Sequence, residues 1–206
     1  IGHSAARAVA SKAIDVVLKN VDKNREEGVC KLIDFMQKYM SEEKLDVNYD
    51  KAREMVCNKD GAFNKYINRV LDEVDPHVLK TMALNLGFEA FMYGTKTIRK
   101  NREKYDCNVP WLILMDPTSA CNLHCTGCWA AEYGNRLNLT FDEMDKVVQQ
   151  GKELGTYLYM FTGGEPLVRK ADLIKLCEKH NDCAFLSFTN GTLVDEAFCQ
   201  ELKRVG

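Results

Sequence analysis

Two adjoining stretches, Trp111-Leu-Ile-Leu-Met115 and Ser119-Ala-Cys-Asn-Leu-His-Cys-Thr-Gly-Cys-Trp129, decide the fold and the chemistry that the sequence predicts. The first is a short apolar run typical of a buried strand. The second contains a C-x3-C-x2-C cluster made by Cys121, Cys125 and Cys128. Three thiolates at this spacing can hold three corners of a cubane [4Fe–4S] cluster, which leaves one iron open to a substrate or cofactor. The pattern therefore points towards catalysis.

Two other interpretations of these cysteines are open. A structural zinc site is chemically sufficient with His124 as fourth ligand, but zinc sites usually draw ligand pairs from two separated places, and His124 adjoins Cys125. A non-catalytic iron–sulfur module for electron transfer or sensing would need another thiol, such as Cys107, to close the cluster. The glycine-rich loop that follows the second apolar run would then have no role in binding a ligand, so we favour a cluster with one open iron.

The composition of the 206-residue chain gives little electrostatic indication of a partner. The net charge is −2, with 28 basic and 30 acidic side chains, and 46% of the residues are hydrophobic. Nucleic acid and anionic membranes are therefore not expected partners. The sequence has neither a signal-peptide pattern nor an apolar stretch long enough to span a membrane, so we expect a soluble protein of the reducing cytoplasm.

Nine cysteines in a reducing compartment are more often ligands or catalysts than disulfides. The six outside the cluster lie singly in helix-like or strand-flanking segments, and we expect them to be free thiols that pack as small hydrophobic side chains. They are Cys30, Cys57, Cys107, Cys177, Cys183 and Cys199.

The first half of the chain is predicted to be helical. Apolar residues recur with helical periodicity from about Ser4 to about Lys104. Asp75-Pro76 is typical of an N-cap followed by proline in the first helical position, opening a helix that extends through Phe88. We expect an all-helical domain over residues 1–105 and a second domain over residues 106–206.

The second half is predicted to be α/β. Three apolar runs of about five residues are each followed by a turn and an amphipathic segment, which is typical of parallel strands covered on both faces. The runs are Trp111 to Met115, Tyr157 to Phe161 and Ala184 to Phe188. Three βα units are too few to close a barrel, so we interpret the chain as truncated.

Three helices are predicted after these runs. Thr140 and Glu143 form a capping box that begins the first. The second fits Ala171 to Lys179 and the third fits Asp195 to Arg204.

The loops after the second and third strands are predicted to lie beside the cysteines, because ligands in α/β folds bind beyond the carboxyl ends of the strands. Gly163 and Gly164 let backbone approach a ligand closely, and Glu165 adds a charge suited to an ammonium group. Ser187-Phe-Thr-Asn-Gly-Thr192 follows the third strand and offers hydroxyl and amide groups for a ribose or a carboxylate.

Taken in order, the cysteine cluster, Thr162-Gly-Gly-Glu-Pro166 and Thr189-Asn-Gly-Thr192 resemble the radical S-adenosylmethionine (radical SAM) superfamily. The similarity is greatest to the molybdenum-cofactor and peptide-maturing type. It covers residues from about 110 onwards and none of the helical first half. The resemblance implies that the second half is an α/β domain made of the first three βα units of a partial TIM-like barrel.

This resemblance implies an oxidoreductase that cleaves S-adenosylmethionine reductively with a [4Fe–4S] cluster, and a 5′-deoxyadenosyl radical that takes a hydrogen atom from an unknown substrate. The resemblance also implies that the enzyme works under anaerobic conditions and receives electrons from a donor of the flavodoxin or ferredoxin type. The cluster ligands would be Cys121, Cys125 and Cys128. The S-adenosylmethionine contacts would be Gly163, Gly164, Glu165, Ser187 and Asn190.

One position departs from the family pattern. Many relatives have an aromatic residue directly before the third cysteine, where it packs against adenine, and this chain has Gly127. Trp129 or Tyr133 would then supply the adenine contact, or that part of the pocket would be more open.

Overall fold

A computed structural model describes residues 2–20, 24–39, 47–130, 134 and 136–206. The chain divides into two compact units. One comprises Ile1–Phe88 together with Gly206, and the other comprises Glu89–Val205.

The first unit contains helices throughout its described residues. Asp75 accepts a hydrogen bond from the backbone N–H of His77 at 2.9 Å and Pro76 is the first residue of the helix, as the sequence predicts. Its buried apolar residues include Ala10, Ile14 and Val56. The helices are α1 (His3–Asn20), α2 (Arg25–Tyr39), α3 (Tyr49–Cys57), α4 (Ala62–Glu73) and α5 (Pro76–Met82).

The helix predicted to extend through Phe88 changes its hydrogen bonding after α5. Ala83–Gly94 forms a π-helix, and α6 (Thr95–Tyr105) follows it. Bonding from residue i to residue i+5 is rare, and periodicity of apolar residues does not distinguish it from an ordinary helix. The sequence therefore predicts a helix here but not its type.

The second unit contains a three-stranded parallel sheet in the order β1-β2-β3. This confirms the predicted α/β class and places all three strands within one residue of the predicted runs. The elements are β1 (Leu112–Met115), α7 (Phe141–Leu154), β2 (Leu158–Phe161), a 3-10 helix (Pro166–Arg169), α8 (Lys170–Lys179), β3 (Ala184–Ser187) and α9 (Glu196–Val205).

The register of the sheet separates two rows of side chains. Ile113, Tyr159 and Phe185 are register partners, and so are Leu114, Met160 and Leu186. Because side chains alternate along a strand, the two rows lie on opposite faces. The Tyr159 hydroxyl lies 3.0 Å from the carbonyl of Val148 in α7, so the first row faces that helix. On the other face, Leu114 and Leu186 are exposed.

The second unit begins before β1 because α6 packs against α7, the helix that covers one face of the sheet. The side-chain amide of Asn101 donates to the carbonyl of Leu154 at 3.0 Å, at the end of α7. The indole N–H of Trp111 donates to the carbonyl of Ala90 at 3.1 Å. These contacts place α6 and the end of the π-helix, from Glu89 onwards, in the compact unit that contains the strands.

Local signals set the ends of α7. Thr140 and Glu143 form the predicted capping box, with each side chain bonded to the other residue's backbone N–H. Gly155 ends the helix with a φ of 101°, a left-handed conformation that glycine adopts without strain. None of the helices in the described ranges is long and apolar enough to cross a membrane.

Candidate active site

The cysteine loop, residues 119–130, is closed at its base by a short antiparallel contact. Ser119 N–H donates to the carbonyl of Leu137 at 2.8 Å, and Leu139 N–H donates to the carbonyl of Pro117 at 3.1 Å. Between these bonds the buried Thr118 hydroxyl donates to the Asn138 side-chain oxygen at 2.6 Å. The loop therefore leaves the sheet from a fixed starting point directly after β1.

The three predicted ligands lie on the outer part of this loop. Cys121 is half-buried, whereas Cys125 and Cys128 are exposed, and all three are free thiols. The Cys128 N–H donates to the Cys125 carbonyl at 3.2 Å, which forms a turn between the two. The N–H of Leu123 lies 3.4 Å from the Cys121 sulfur. Backbone N–H groups aimed at sulfur are among the features that tune protein-bound iron–sulfur clusters.

Gly127 is required by that turn. Its φ is 75°, in the left-handed region, which costs other residues about 1–2 kcal/mol. An aromatic side chain at this position would have to adopt the same backbone conformation. The departure from the family pattern therefore has a local structural reason.

The loop after β2 packs directly against the chain that precedes Cys121. Gly164 N–H donates to the Thr118 carbonyl at 3.0 Å, and Glu165 N–H donates to the Ala120 carbonyl at 2.8 Å. A Cβ atom on Gly164 would lie 2.6 Å from the Ala120 carbonyl carbon, and one on Gly163 would lie 2.7 Å from the Thr118 oxygen. Such distances exclude side chains at both positions.

The two glycines thus have a role that the sequence did not reveal, which is close contact between two backbones. Gly163 also has a φ of 103°, so it meets a second requirement that only glycine satisfies easily. Both glycines nevertheless line a cavity beside the cysteine loop, where a ligand would meet them.

Glu165 lies inside the protein, with only 1% of its surface exposed. One carboxylate oxygen accepts from the Thr189 hydroxyl at 2.7 Å and from Leu167 N–H at 2.9 Å. The other accepts from Asn190 N–H at 2.8 Å. The carboxylate therefore caps the 3-10 helix and holds the loop that follows β3.

The loop after β3 carries the last two predicted contacts in different surroundings. Asn190 is bonded to Glu165 through its backbone and to Asn122 of the cysteine loop through its side chain, at 2.9 Å. Ser187 is exposed at the end of β3, in register with Phe161. Strand alternation places it on the same face as Phe185, away from the row of Leu114 and Leu186. The structure thus brings Asn190, but not Ser187, into the hydrogen-bond network of Glu165.

A cavity of about 390 Å³ lies between the cysteine loop, the segment before α7 and the two glycines. It is lined by Asp116, Ser119, Trp129, Ala130, Leu137, Asn138, Leu139, Gly163 and Gly164. Trp129 is 58% exposed and offers an aromatic face to this space. Tyr133, the other aromatic residue considered for adenine contact, lies outside the described residues.

The two alternative interpretations of the cysteines find little support in this geometry. Among the described residues, no three Cys, His, Asp or Glu side chains converge on one point as ligands of a single metal ion would, and this includes the three cysteines with His124. Cys107 precedes β1 whereas the cysteine loop follows it, and a four-residue strand spans about 13 Å. A fourth thiol ligand from Cys107 would thus come from the opposite edge of the sheet.

The donor set does fit a cluster with an open iron. Each thiol of a [4Fe–4S] cluster binds a different iron, so the ligands need not converge on one point. Three free thiols on one loop, with an N–H aimed at one sulfur, match that requirement. The adjoining cavity and the two glycines leave room for a small ligand next to them.

Two other cysteines are unsuited to metal binding. Burial raises the pKa of Cys177 to about 12 and also raises the pKa of Cys183. A thiolate is the form that binds metal, so these thiols stay protonated near neutral pH. Both behave as the small hydrophobic side chains that the sequence predicts.

Comparisons with known proteins agree with this site. Residues 115–206 match the model of the Radical SAM superfamily, so this segment is similar to members of that superfamily. Its members bind a [4Fe–4S] cluster and S-adenosylmethionine. No solved structure matches the chain significantly.

Curated relatives each match about half of the chain. Fe-coproporphyrin III synthase from Methanosarcina barkeri is 29% identical over 126 residues, which are 57% of this chain and 31% of the relative. GTP 3′,8-cyclase from Petrotoga mobilis is 31% identical over 110 residues, which are 50% and 34%. GTP 3′,8-cyclase from Clostridium botulinum (strain Hall) is 34% identical over 98 residues, which are 43% and 30%. The match thus spans about a third of each relative, and these relatives are named as a synthase and cyclases.

Proposed function

We propose that this chain is the cofactor-binding portion of a radical SAM enzyme. In this proposal Cys121, Cys125 and Cys128 hold a [4Fe–4S] cluster that keeps one iron open. When bound, the cluster and S-adenosylmethionine supply reductive cleavage of the sulfonium and a radical that abstracts a hydrogen atom from the substrate.

The main support is the direct bonding of the glycine loop to the cysteine loop. The two bonds from Gly164 and Glu165 to the chain before Cys121 put both motifs at one edge of the sheet. A ligand on the open iron would therefore lie beside Gly163 and Gly164, which line the adjoining cavity.

We assign different roles to the remaining predicted contacts. Glu165 holds the loops of the site together without contacting the ligand, because its carboxylate is buried and bonded to three protein donors. Trp129 is the candidate for adenine contact, since it lines the cavity that the two glycines share. Ser187 is a weaker candidate for the ribose because it lies on the helix-facing row of the sheet.

An external electron donor of the flavodoxin or ferredoxin type fits the exposure of the ligands. Cys125 and Cys128 are both exposed, so a cluster on them would lie close to the surface. We further propose that the radical SAM βα domain occupies residues 106–206, that a helical domain occupies residues 1–105, and that the enzyme works as an oxidoreductase in an anaerobic, reducing cytoplasm.

The similarity to known proteins does not select a substrate. The relatives include an Fe-coproporphyrin III synthase and a GTP 3′,8-cyclase, and each match covers about half of this chain. What they have in common supports the cofactor chemistry, and the substrate class would be set elsewhere.

Anaerobic reconstitution with iron and sulfide tests the proposal. We expect a reduced-cluster electron paramagnetic resonance spectrum that changes when S-adenosylmethionine is added, and 5′-deoxyadenosine when dithionite is supplied. An unchanged spectrum together with no 5′-deoxyadenosine would sink the enzymatic proposal.

Single substitutions test the ligand assignment. Cys121→Ala, Cys125→Ala and Cys128→Ala should each lose the cluster. Cys177→Ala, Cys183→Ala and Cys199→Ala are the matched controls and should keep the iron and sulfide content of the unaltered protein. Loss of iron in the control group would mean that the ligands are misassigned.

A further inference from the structure

Asn122, which lies inside the cysteine motif, is bonded to the loop after β3. Its side-chain N–H donates to the Thr192 hydroxyl oxygen at 2.7 Å, and its side-chain oxygen accepts from the Asn190 side-chain N–H at 2.9 Å. The Asn190 side-chain oxygen accepts in turn from Thr192 N–H at 2.9 Å. We call these three residues, Asn122, Asn190 and Thr192, the asparagine clamp.

The asparagine clamp is attached to a buried anchor. Asn190 N–H donates to one Glu165 carboxylate oxygen at 2.8 Å, and the neighbouring Thr189 hydroxyl donates to the other at 2.7 Å. Glu165 is 1% exposed and is itself bonded through its N–H to Ala120. The clamp therefore links an exposed stretch of the cysteine loop to the interior by side-chain bonds.

We propose that the asparagine clamp positions Cys121 for the cluster, which makes Asn122 a positioning residue. This inference rests on the function proposed above. Asn122 directly follows Cys121, and the next N–H, that of Leu123, lies 3.4 Å from the Cys121 sulfur. Fixing Asn122 thus fixes the backbone on which both the ligand and its N–H partner depend.

The physical advantage is preorganisation. Ordering one residue costs about 1–2 kcal/mol, and a loop that is already ordered avoids that cost when the cluster binds. The clamp also occupies the polar atoms of the Asn190 side chain. The role of Asn190 is therefore to hold the cysteine loop, and direct contact with a ribose or carboxylate is not needed to explain its presence.

Two substitutions remove the clamp from either side. Asn122→Ala deletes both bonds from the cysteine loop, and Thr192→Val deletes the hydroxyl while keeping the shape of the side chain. Asn108→Ala, in another exposed loop, is the matched control. The full chain of each variant is reconstituted anaerobically, and the loss of cluster absorbance is followed after an iron chelator is added without S-adenosylmethionine.

We expect both clamp variants to lose the cluster about five- to tenfold faster than the unaltered protein and the control. The double variant should be no faster than Asn122→Ala alone, since Asn122→Ala already removes both clamp bonds to the cysteine loop. The unfolding midpoint of the cluster-free protein should stay unchanged, which separates positioning from general destabilisation. Equal rates in all variants, or effects that simply add in the double variant, would overturn the clamp.

Hydrogen exchange separates this inference from the proposed function. In the cluster-free protein, a peptide covering residues 119–124 should exchange faster in Asn122→Ala and Thr192→Val than in the control. If the unaltered protein takes up no iron, both the proposed function and the role of the asparagine clamp in cluster binding are overturned. Faster exchange in the variants would then show that the clamp still orders the loop.

Discussion

The cysteine loop and the helix-facing side of the sheet are held in place by different forces. Between α7 and the sheet, the side chains of Met144, Val148 and Tyr159 are completely buried, and packing fixes their positions. In the cysteine loop, Cys125 and Cys128 are exposed, and hydrogen bonds between loops fix the backbone. Substitutions between α7 and the sheet should therefore change the stability of the fold, whereas substitutions around the cysteine loop should change how well the cluster is retained.

The largest loss of stability is expected from Met144→Ala. Met144 is fully buried in α7, and removing such a side chain leaves a cavity that costs about 3 kcal/mol in free energy of unfolding. Urea unfolding of the cluster-free chain measures this. Leu137→Ala, at a position that is 62% exposed, should cost under about 0.5 kcal/mol. Early cluster loss by Met144→Ala under folding conditions would contradict the separation of the two regions.

Gly164→Ala should affect both regions. The added Cβ would meet the Ala120 carbonyl group, so the glycine loop and the cysteine loop must move apart, at a cost of about 2 kcal/mol. We expect lower iron content after reconstitution as well as a lower unfolding midpoint. Gly87→Ala is the control, because a Cβ there meets nothing within 4 Å. Normal iron content in Gly164→Ala would show that the two loops need not touch.

Glu165→Gln should loosen the loop after β3 with a smaller effect on stability. The amide nitrogen of glutamine is a donor, so at least one of the N–H groups of Leu167 and Asn190 or the Thr189 hydroxyl loses its acceptor, which costs about 1.5 kcal/mol. Hydrogen exchange of residues 187–192 should become faster. Glu153→Gln, at an exposed position, should leave it unchanged. Unaltered exchange in Glu165→Gln would mean that Glu165 does not hold this loop.

The smallest effect is expected at acidic pH, from Asp145 in α7. Burial opposes ionisation, but bonds from Lys179 at 2.8 Å and His180 at 2.8 Å outweigh it and hold the pKa of Asp145 below its usual 3.8. Its contribution to stability is complete above the unfolded-state pKa and disappears as the pH falls through the lower folded-state value.

Thermal unfolding of the protein and of Asp145→Asn from about pH 6 to about pH 3 measures this contribution. The difference between the two unfolding midpoints should shrink as the pH falls. A difference that grows on acidification would contradict the assigned direction of the pKa shift.

Patterns among neighbouring residues in the sequence predicted the strands and helices of the second unit. The three apolar runs became β1, β2 and β3, and Thr140 with Glu143 formed the capping box of α7. These features depend on neighbouring residues and on alternation, which a single sequence displays. The 3-10 helix at Pro166–Arg169 was not predicted, since its N-cap, Glu165, is fixed by tertiary burial.

Contacts between loops could not be predicted in the same way. The sequence placed the cysteine, glycine and asparagine segments at one edge, but not the bonds that join Asn122 to Asn190 and Thr192. It also suggested that the two glycines make room for a ligand, whereas Gly164 also makes room for Ala120. Partners separated by about seventy residues are set by the fold, and no local pattern marks them.

The closed base of the cysteine loop has a consequence for how much this chain tolerates insertion. Ser119 and Leu137 are already bonded, so the ends of the loop stay together whatever lies between them. Doubling the length of such a loop raises its closure cost by only about 0.6 kcal/mol. A longer chain between Ser119 and Leu137 would thus leave the sheet almost unaffected, since the bonds at the base do not depend on the length of the segment that they close.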